Sequence, residues 1–138
     1  MPKKSWRPMP IASDLLEAAR EARRHAYAPY SNFTVGAALL TKTGDVITGA
    51  NVENASYPVG MCAERTALYA AVAHGHRSFE AIAIVGPEGV ALTPCGACRQ
   101  ALSEFGDLRV IRERQDDVPL RDLLPDAFGP RHLARTGV

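Results

Sequence analysis

The stretch at residues 62–86, CAERTALYAAVAHGHRSFEAIAIVG, joins two patterns that decide the fold class. Its first part is rich in alanine and predicts a helix over residues 62–74. Its last part, EAIAIVG at residues 80–86, is a near-continuous apolar run, which is typical of a strand buried on both faces. A helix that leads into such a strand favours a sheet with parallel members, covered by helices.

The same alternation continues in both directions along the chain. Downstream, the pattern predicts a helix over residues 96–105, a strand over residues 108–113 and a short final helix within LRDLLPDAFGP, residues 120–130. Upstream, FTVGAALLT and VITGANVE flank the glycine-containing turn KTGD and predict a β-hairpin. A polar loop, NASYPVG, connects this hairpin to the helix at residues 62–74.

The N-terminal part adds one more helix. The segment SDLLEAAREARRHAYA has helical spacing, with Asp14 as its predicted cap, Glu17 three positions later, and Pro29 as its predicted end. Residues 1–10 contain three prolines and predict a loose arm. The order α–β–β–α–β–α–β–α therefore predicts one α/β domain over residues 1–138, with a mixed sheet between two layers of helices.

Composition limits the possible partners. The net charge of +1 provides no overall field that would attract nucleic acid or an anionic membrane. No apolar run approaches the roughly 18 residues that span a bilayer. The start, MPKKSWRPMP, has no hydrophobic segment behind it and does not resemble a secretory signal. Three cysteines, an odd number, favour reduced thiols over a disulfide framework, so we expect a cytoplasmic protein.

All three cysteines stand at predicted helix starts. Cys95 and Cys98 are three residues apart, which places both thiols on one side of a helical turn, and Cys62 opens the other helix. Helix N-termini favour thiolate, the form that binds metal. Three converging thiolates suit Zn²⁺, and three protein ligands with one open position are typical of a catalytic zinc site.

Other interpretations of the cysteines remain open at this point. They could be small buried hydrophobic residues, or Cys95 and Cys98 could form a thioredoxin-like pair, although Cys62 would then have no role. A zinc-stabilised module without catalytic activity would need a fourth ligand. The histidines that could supply it are His25, His74, His76 and His132.

The residues after Cys62 extend the zinc hypothesis. Glu64 can serve as a general acid and base only if Cys62 lies at or before the helix cap, because positions 62 and 64 point apart in a regular helix. Arg65 could donate to the sulfurs and withdraw some of their negative charge. Alternatively, Glu64 is simply an acid in the first turn and Arg65 a solvated helix residue.

The motifs CAERTA, PCGACRQ and FTVGAALLTKTGDVITGANVENASY resemble those of the small cytidine deaminases that use three cysteines, and the likeness runs from about Tyr30 to Phe128. This resemblance implies a three-layer α-β-α sandwich around a mixed five-stranded sheet. It also implies a homotetramer with sites shared between subunits, and one Zn²⁺ per subunit. The implied metal ligands are Cys62, Cys95 and Cys98, with Glu64 as the proton shuttle.

The resemblance also implies a set of substrate contacts. Asn51 and Glu53 would hold the sugar hydroxyls, and their i, i+2 spacing independently predicts that both leave a strand on the same face. Further implied contacts are Phe33 against the pyrimidine, Ala55 and Tyr57 in a loop that reaches across subunits, Ala63 through its main chain, and Phe128 in a neighbouring subunit's site.

The implied activity is hydrolytic deamination of cytidine and 2′-deoxycytidine to uridine and 2′-deoxyuridine with release of ammonia, a reaction of pyrimidine salvage. The motifs are not accompanied by a GxxxxGK loop or a basic cluster, which favours a free nucleoside as substrate. The chain also has no strip of basic and aromatic residues that would hold a polynucleotide. A deaminase of a related cytosine nucleoside such as blasticidin S remains the alternative.

Overall fold

The computed structural model describes residues 9–133, so the predicted arm at residues 1–10 lies almost entirely outside the described residues. The helices are Ala12–Arg23 (α1), Ala63–Ala73 (α2), Gly96–Ser103 (α3), Leu120–Leu123 (α4) and Pro130–Leu133 (α5). The strands are Gly36–Thr41 (β1), Val46–Ala50 (β2), Phe79–Val85 (β3), Arg109–Arg112 (β4) and Val118–Pro119 (β5). Among residues 9–133, none of the helices combines the length and apolar character that a membrane crossing requires.

The strands form one mixed sheet in the order β2-β1-β3-β4-β5. The predicted hairpin is confirmed, since β1 and β2 are antiparallel with Leu40 opposite Val46. Strand β3 runs antiparallel to β1 and parallel to β4. It is the central strand, and all of its residues except Glu80 are buried, as the apolar run predicted. The mixed five-stranded sheet is therefore confirmed.

Helices cover both faces of the sheet. On one face, Leu15 and Ala19 of α1 pack in a cluster with side chains of β1, β3 and β4. On the other face, Leu68 of α2 and Leu102 of α3 pack in a cluster that includes Leu39 of β1. These are the three layers of the predicted α-β-α sandwich, and burial of both helix layers on the sheet is the main stabilising contribution.

Two glycines bring the helices unusually close to the sheet. A Cβ atom on Gly36 would lie 2.0 Å from the main-chain oxygen of Ala19 in α1. A Cβ atom on Gly49 would lie 2.5 Å from the main-chain nitrogen of Ala67 in α2. Because real Cβ contacts are never so short, both positions require glycine for the observed packing.

We expect Gly49→Ala to destabilise the protein by about 1–3 kcal/mol, since the added methyl group must push α2 away from β2. Urea unfolding measures this change. Gly129→Ala is the matched control, because a Cβ there meets no atom within 4 Å, and its unfolding midpoint should equal or slightly exceed the wild-type value. Equal midpoints for Gly49→Ala and the wild type would contradict the close packing.

The predicted cap of the first helix was wrong. The residue before α1 is Ile11, and the Asp14 carboxylate accepts a hydrogen bond from the Ile11 amide at 3.0 Å. Asp14 thus fills the third helical position of a capping arrangement, and not the cap position itself.

Helix α1 also ends at Arg23, well before Pro29. The reason is tertiary: the main chain of Tyr27 is bonded to residues that follow β2. Its amide donates to the Asn51 carbonyl at 2.9 Å, and its carbonyl accepts from the Glu53 amide at 2.8 Å. A continued helix would lose both bonds.

The C-terminal region differs most from the predicted order. The resemblance implied a fifth strand, but the local patterns did not locate β5, because it has only two residues and ends in Pro119, which a sheet accepts at its edge. The short helix predicted within residues 120–130 is α4, which ends at Leu123, and it is not the final helix because α5 begins at Pro130. Pro125 disfavours helical geometry at the residue before it, and Leu124 indeed has φ −145°.

Candidate metal centre

The sheet brings the two cysteine-bearing helices together. Gly36 lies opposite Ala50 at the end of β2 and opposite Val85 at the end of β3. The last residues of β2 and β3 therefore lie at the same end of the sheet, and the segments that follow them lead to α2 and α3. Cys62 is the cap residue of α2 and Cys95 is the cap residue of α3.

The three cysteine sulfurs form one cluster. All lie within 4.8 Å of one another, and the Cys62 and Cys95 Sγ atoms are 3.8 Å apart. The Cys98 amide donates to the Cys95 Sγ at 3.4 Å. Cys95 is exposed, so burial as a small hydrophobic residue does not account for it.

The Cys62 and Cys98 thiols do not ionise together: Cys62 ionises readily, and Cys98 does not. The hydrogen bond from Cys98, followed by that from Arg65, lowers the pKa of Cys62 to about 5, although burial opposes this. The hydrogen bond to Cys62 and burial raise the pKa of Cys98 well above its usual range. Protein groups alone therefore favour one thiolate at the expense of the next. A divalent cation stabilises all of them as thiolates, so this donor set fits Zn²⁺.

Within residues 9–133, the sulfur cluster contains the three cysteines and no histidine. His74 lies at the far end of α2 from Cys62. His132 stacks on Phe128. A closed structural site would need a fourth protein ligand, and no histidine supplies one among the described residues.

Arg65 lies against the cluster. Its Nη2 is 3.6 Å from the Cys62 Sγ, and this contact raises the pKa of the guanidinium. Its Nε is buried without a hydrogen-bond partner among the described residues. The guanidinium is placed to withdraw negative charge from the sulfurs. This would make a bound cation a stronger Lewis acid.

Glu64 is the second residue of α2 and is only 4% exposed. Because Cys62 is the cap residue, the geometric requirement for bringing positions 62 and 64 to one region is met. Burial raises the pKa of Glu64 to about 7, and the charge of Cys62 adds to the rise. A carboxyl group with a pKa near neutrality can both accept and return a proton.

A cavity of about 550 Å³ opens beside Cys62 and Arg65. This size falls within the usual range for small-molecule sites. Three of the predicted substrate contacts line it, Asn51, Glu53 and Tyr57. Glu64, Cys95 and Cys98 are not among its lining residues, so the metal cluster meets the cavity through Cys62.

Asn51 and Glu53 follow strand β2, which ends at Ala50 and is therefore shorter than predicted. They still line the same cavity, because the main chain of Val52 between them pairs with Met61. The Asn51 side chain donates from Nδ2 to the Phe33 carbonyl at 2.8 Å and accepts at Oδ1 from the Val35 main-chain amide at 2.8 Å. Asn51 thus fixes the position of the Phe33 segment.

The Glu53 carboxylate is held by the segment opposite. It accepts from the main-chain amides of Tyr30 at 2.9 Å and Ser31 at 3.2 Å, and from the Ser31 hydroxyl. The Ser31 hydroxyl and then the two amides lower the pKa of Glu53. The carboxylate is therefore ionised and oriented, as an acceptor for hydroxyl groups must be.

Four predicted contacts do not line the cavity. Ala63 is fully buried at the start of α2, and Ala55 is exposed. Phe33 and Phe128 are 38% and 57% exposed. Among residues 9–133 of the single chain, these four residues are not brought to the cavity that Asn51 and Glu53 line.

Sequence reasoning assigned no site role to Tyr30 and Ser31, which line the cavity, or to Arg99, which is bonded to the chain just before Cys95. Arg99 donates to the carbonyl of Pro94, just before Cys95, at 2.7 Å and to the Leu123 carbonyl at 2.8 Å. The position of Arg99 directly after Cys98 was the available signal. No local pattern marks Tyr30 and Ser31, because their partner Glu53 is distant in sequence.

Three clustered thiols beside a buried carboxyl group, at one edge of an α-β-α sandwich, define the class of a zinc-dependent hydrolytic enzyme. The family model described as "Cytidine and deoxycytidylate deaminase zinc-binding region" matches residues 9–113. The chain therefore belongs to the cytidine and deoxycytidylate deaminase family.

Known proteins of this family are similar over most of the chain. A cytidine deaminase from Halalkalibacterium halodurans is 48% identical over 120 residues, which cover 83% of this chain and 91% of the relative. A cytidine deaminase from Mycobacterium tuberculosis is 45% identical, covering 85% and 89%. The crystal structure of cytidine deaminase from Burkholderia pseudomallei matches with a TM-score of 0.77 and 50% identity, covering 86% of this chain and all of that one.

Proposed function

We propose that this protein is a zinc-dependent deaminase that converts cytidine and 2′-deoxycytidine to uridine and 2′-deoxyuridine, with release of ammonia. The observation that carries the proposal is the cluster of three cysteine sulfurs at the starts of α2 and α3, with the buried carboxyl group of Glu64 two residues after Cys62. The names of the relatives, all cytidine deaminases, favour these substrates over blasticidin S.

The cavity accounts for recognition of the sugar. Glu53 is ionised and points its held carboxylate into a space that suits a nucleoside, where it accepts from a ribose hydroxyl group. The Asn51 side-chain amide has two N–H groups: one donates to the Phe33 carbonyl, and the other is free to donate to a sugar hydroxyl group. The exposed ring of Tyr57, 5.9 Å from the ring of Tyr30, borders the same space.

The three sulfurs of Cys62, Cys95 and Cys98 would hold Zn²⁺, which supplies a Lewis acid that lowers the pKa of water from about 16 toward 7. The Glu64 carboxylate accepts a proton from the attacking water and delivers it to N3 of the ring, which makes attack at C4 easier. It then accepts the proton of the new hydroxyl group on C4 and delivers it to the amino group. The C4–N bond breaks, ammonia leaves and the C4 carbonyl forms, so one carboxyl group acts in turn as base and acid.

The loss of absorbance that accompanies cytidine deamination tests the proposal directly. Zinc-replete protein is mixed separately with cytidine, 2′-deoxycytidine and blasticidin S, and ammonia release is measured in parallel. We expect turnover of the first two. Turnover of blasticidin S alone would replace the substrate assignment, and no turnover of any cytosine nucleoside would overturn the proposed function.

We propose further that the protein assembles as a homotetramer with sites shared between subunits, and that it acts in pyrimidine salvage in the cytoplasm. Two observations support sites that are shared between subunits. Phe128 lies outside the cavity and is 57% exposed, and Tyr57, which lines the cavity, is 74% exposed, so both aromatic rings are available to a neighbouring subunit. Free thiols at the metal site suit a reducing compartment. Light scattering of the purified protein tests the assembly, and a monomeric mass with full activity would contradict it.

A further inference from the structure

The exposed side chain of Phe128 and the main chain around it make several contacts within the same chain. We call residues 128–132 the tail turn. The Phe128 carbonyl accepts a hydrogen bond from the Gln100 Nε2 at 2.9 Å, and the Gly129 amide donates to the His132 Nδ1 at 3.0 Å. The imidazole of His132 stacks on the phenyl ring, with centroids 5.2 Å apart and planes 10° apart.

These contacts do not serve burial of Phe128 in its own protomer, because the side chain remains 57% exposed. They restrict the ring instead. One contact fixes the carbonyl of Phe128, one fixes the amide that follows it, and the stack fixes the orientation of the ring itself. A side chain ordered before binding loses less conformational freedom when a ligand or partner reaches it.

We propose that His132 is a positioning residue, which holds the Phe128 ring in the orientation needed at a neighbouring subunit's substrate site. This inference rests on the proposed function, in which Phe128 reaches that site. The imidazole acts through two contacts at once. Its Nδ1 must be the acceptor, so its ring hydrogen is on Nε2, and its face supports the phenyl ring.

Gln100 provides the second anchor and connects the tail turn to the metal centre. It lies in α3, the helix that carries Cys95 at its cap and Cys98 in its first turn. The same helix therefore orients two zinc ligands and, through the Gln100 amide, the main chain of Phe128. Helix α3 thus fixes the positions of both the Phe128 main chain and two of the metal ligands of the same subunit.

The test uses zinc-replete, full-length protein and a series of cytidine concentrations. His132→Ala should raise KM about 2- to 10-fold, the range that loss of an aromatic pair produces, with kcat within about 2-fold of the wild type. The effect falls on KM because His132 contacts the Phe128 ring and not the reacting atoms. His132→Phe, which keeps a ring for stacking, should restore most of the lost affinity.

His74→Ala is the matched control. His74 also uses its Nδ1 on a main-chain group, the Ala70 carbonyl at 2.7 Å, but it lies at the end of α2 remote from Cys62. This variant should keep the wild-type KM. An equal rise of KM in His74→Ala and His132→Ala would overturn the proposal, since it would indicate a general effect of losing a histidine.

A double-mutant cycle separates positioning from a merely structural role. If His132 acts through Phe128, then Phe128→Ala raises KM and the double variant has the same KM as Phe128→Ala alone. Additive effects, or an unchanged KM in either single variant, would overturn this inference while leaving cytidine turnover by the wild type intact. Absence of turnover by the wild type would instead overturn the proposed function.

Discussion

Glu64→Gln should lower kcat for cytidine about 10²- to 10⁴-fold while zinc content and fold are retained. Glutamine has nearly the same shape as glutamate, so the buried space that holds Glu64 stays filled. It cannot accept and return a proton, however, and the reaction needs both transfers. Single-turnover and steady-state rates, with zinc measured by atomic absorption in the same samples, test the prediction.

Glu88→Gln is the matched control for this substitution. Glu88 is exposed in the loop after β3, and its replacement changes the net charge by the same amount without touching the cavity. It should retain the wild-type rate. If Glu64→Gln also retained the wild-type rate with zinc bound, Glu64 would not be the proton shuttle, and the proposed mechanism would be wrong.

Cys95→Ser should reduce zinc affinity by more than about 100-fold and abolish activity at limiting zinc, because loss of a ligand costs more than loss of a group that merely supports one. Cys95 is the best position for this test. Its side chain is exposed, so the substitution leaves no cavity, and serine is a favourable residue at a helix cap. Helix α3 should therefore be preserved. Zinc titration with a competing chelator measures the affinity.

The matched control is Ala97→Ser, which introduces a hydroxyl group in the same helical turn but removes no ligand. Ala97 is exposed, and its variant should bind zinc and turn over cytidine as the wild type does. A Cys95→Ser protein that held one zinc per chain against the chelator, at wild-type activity, would show that Cys95 is not a ligand. The three-sulfur centre would then have to be abandoned.

The sequence predicted those features that depend on local spacing. Residues 62–74 and 96–105 correspond to α2 and α3, and the apolar run at residues 80–86 corresponds to the buried central strand β3. The spacing of Cys95 and Cys98 predicted that both thiols share one side of a helical turn, and the position of Cys62 at the other helix start favoured a three-thiolate centre. The structure then brought the three sulfurs together within 4.8 Å.

Features that depend on distant partners could not be predicted in this way. Strand β5 has two residues and exists only because β4 offers an edge to pair with. Helix α1 stops at Arg23 because the Tyr27 main chain is bonded to Asn51 and Glu53, which lie beyond the hairpin. Local propensity carries no information about such bonds, so the helix was predicted to run too far.

The amino-acid sequence by itself determined which groups are present and in which order, a trio of thiols and one acid at two helix starts. Only the tertiary structure decided that Gly36 faces the ends of both β2 and β3, which places those helix starts side by side. It also decided the burial that brings the pKa of Glu64 to about 7. Desolvation depends on every atom packed around a group, and those atoms come from distant parts of the chain.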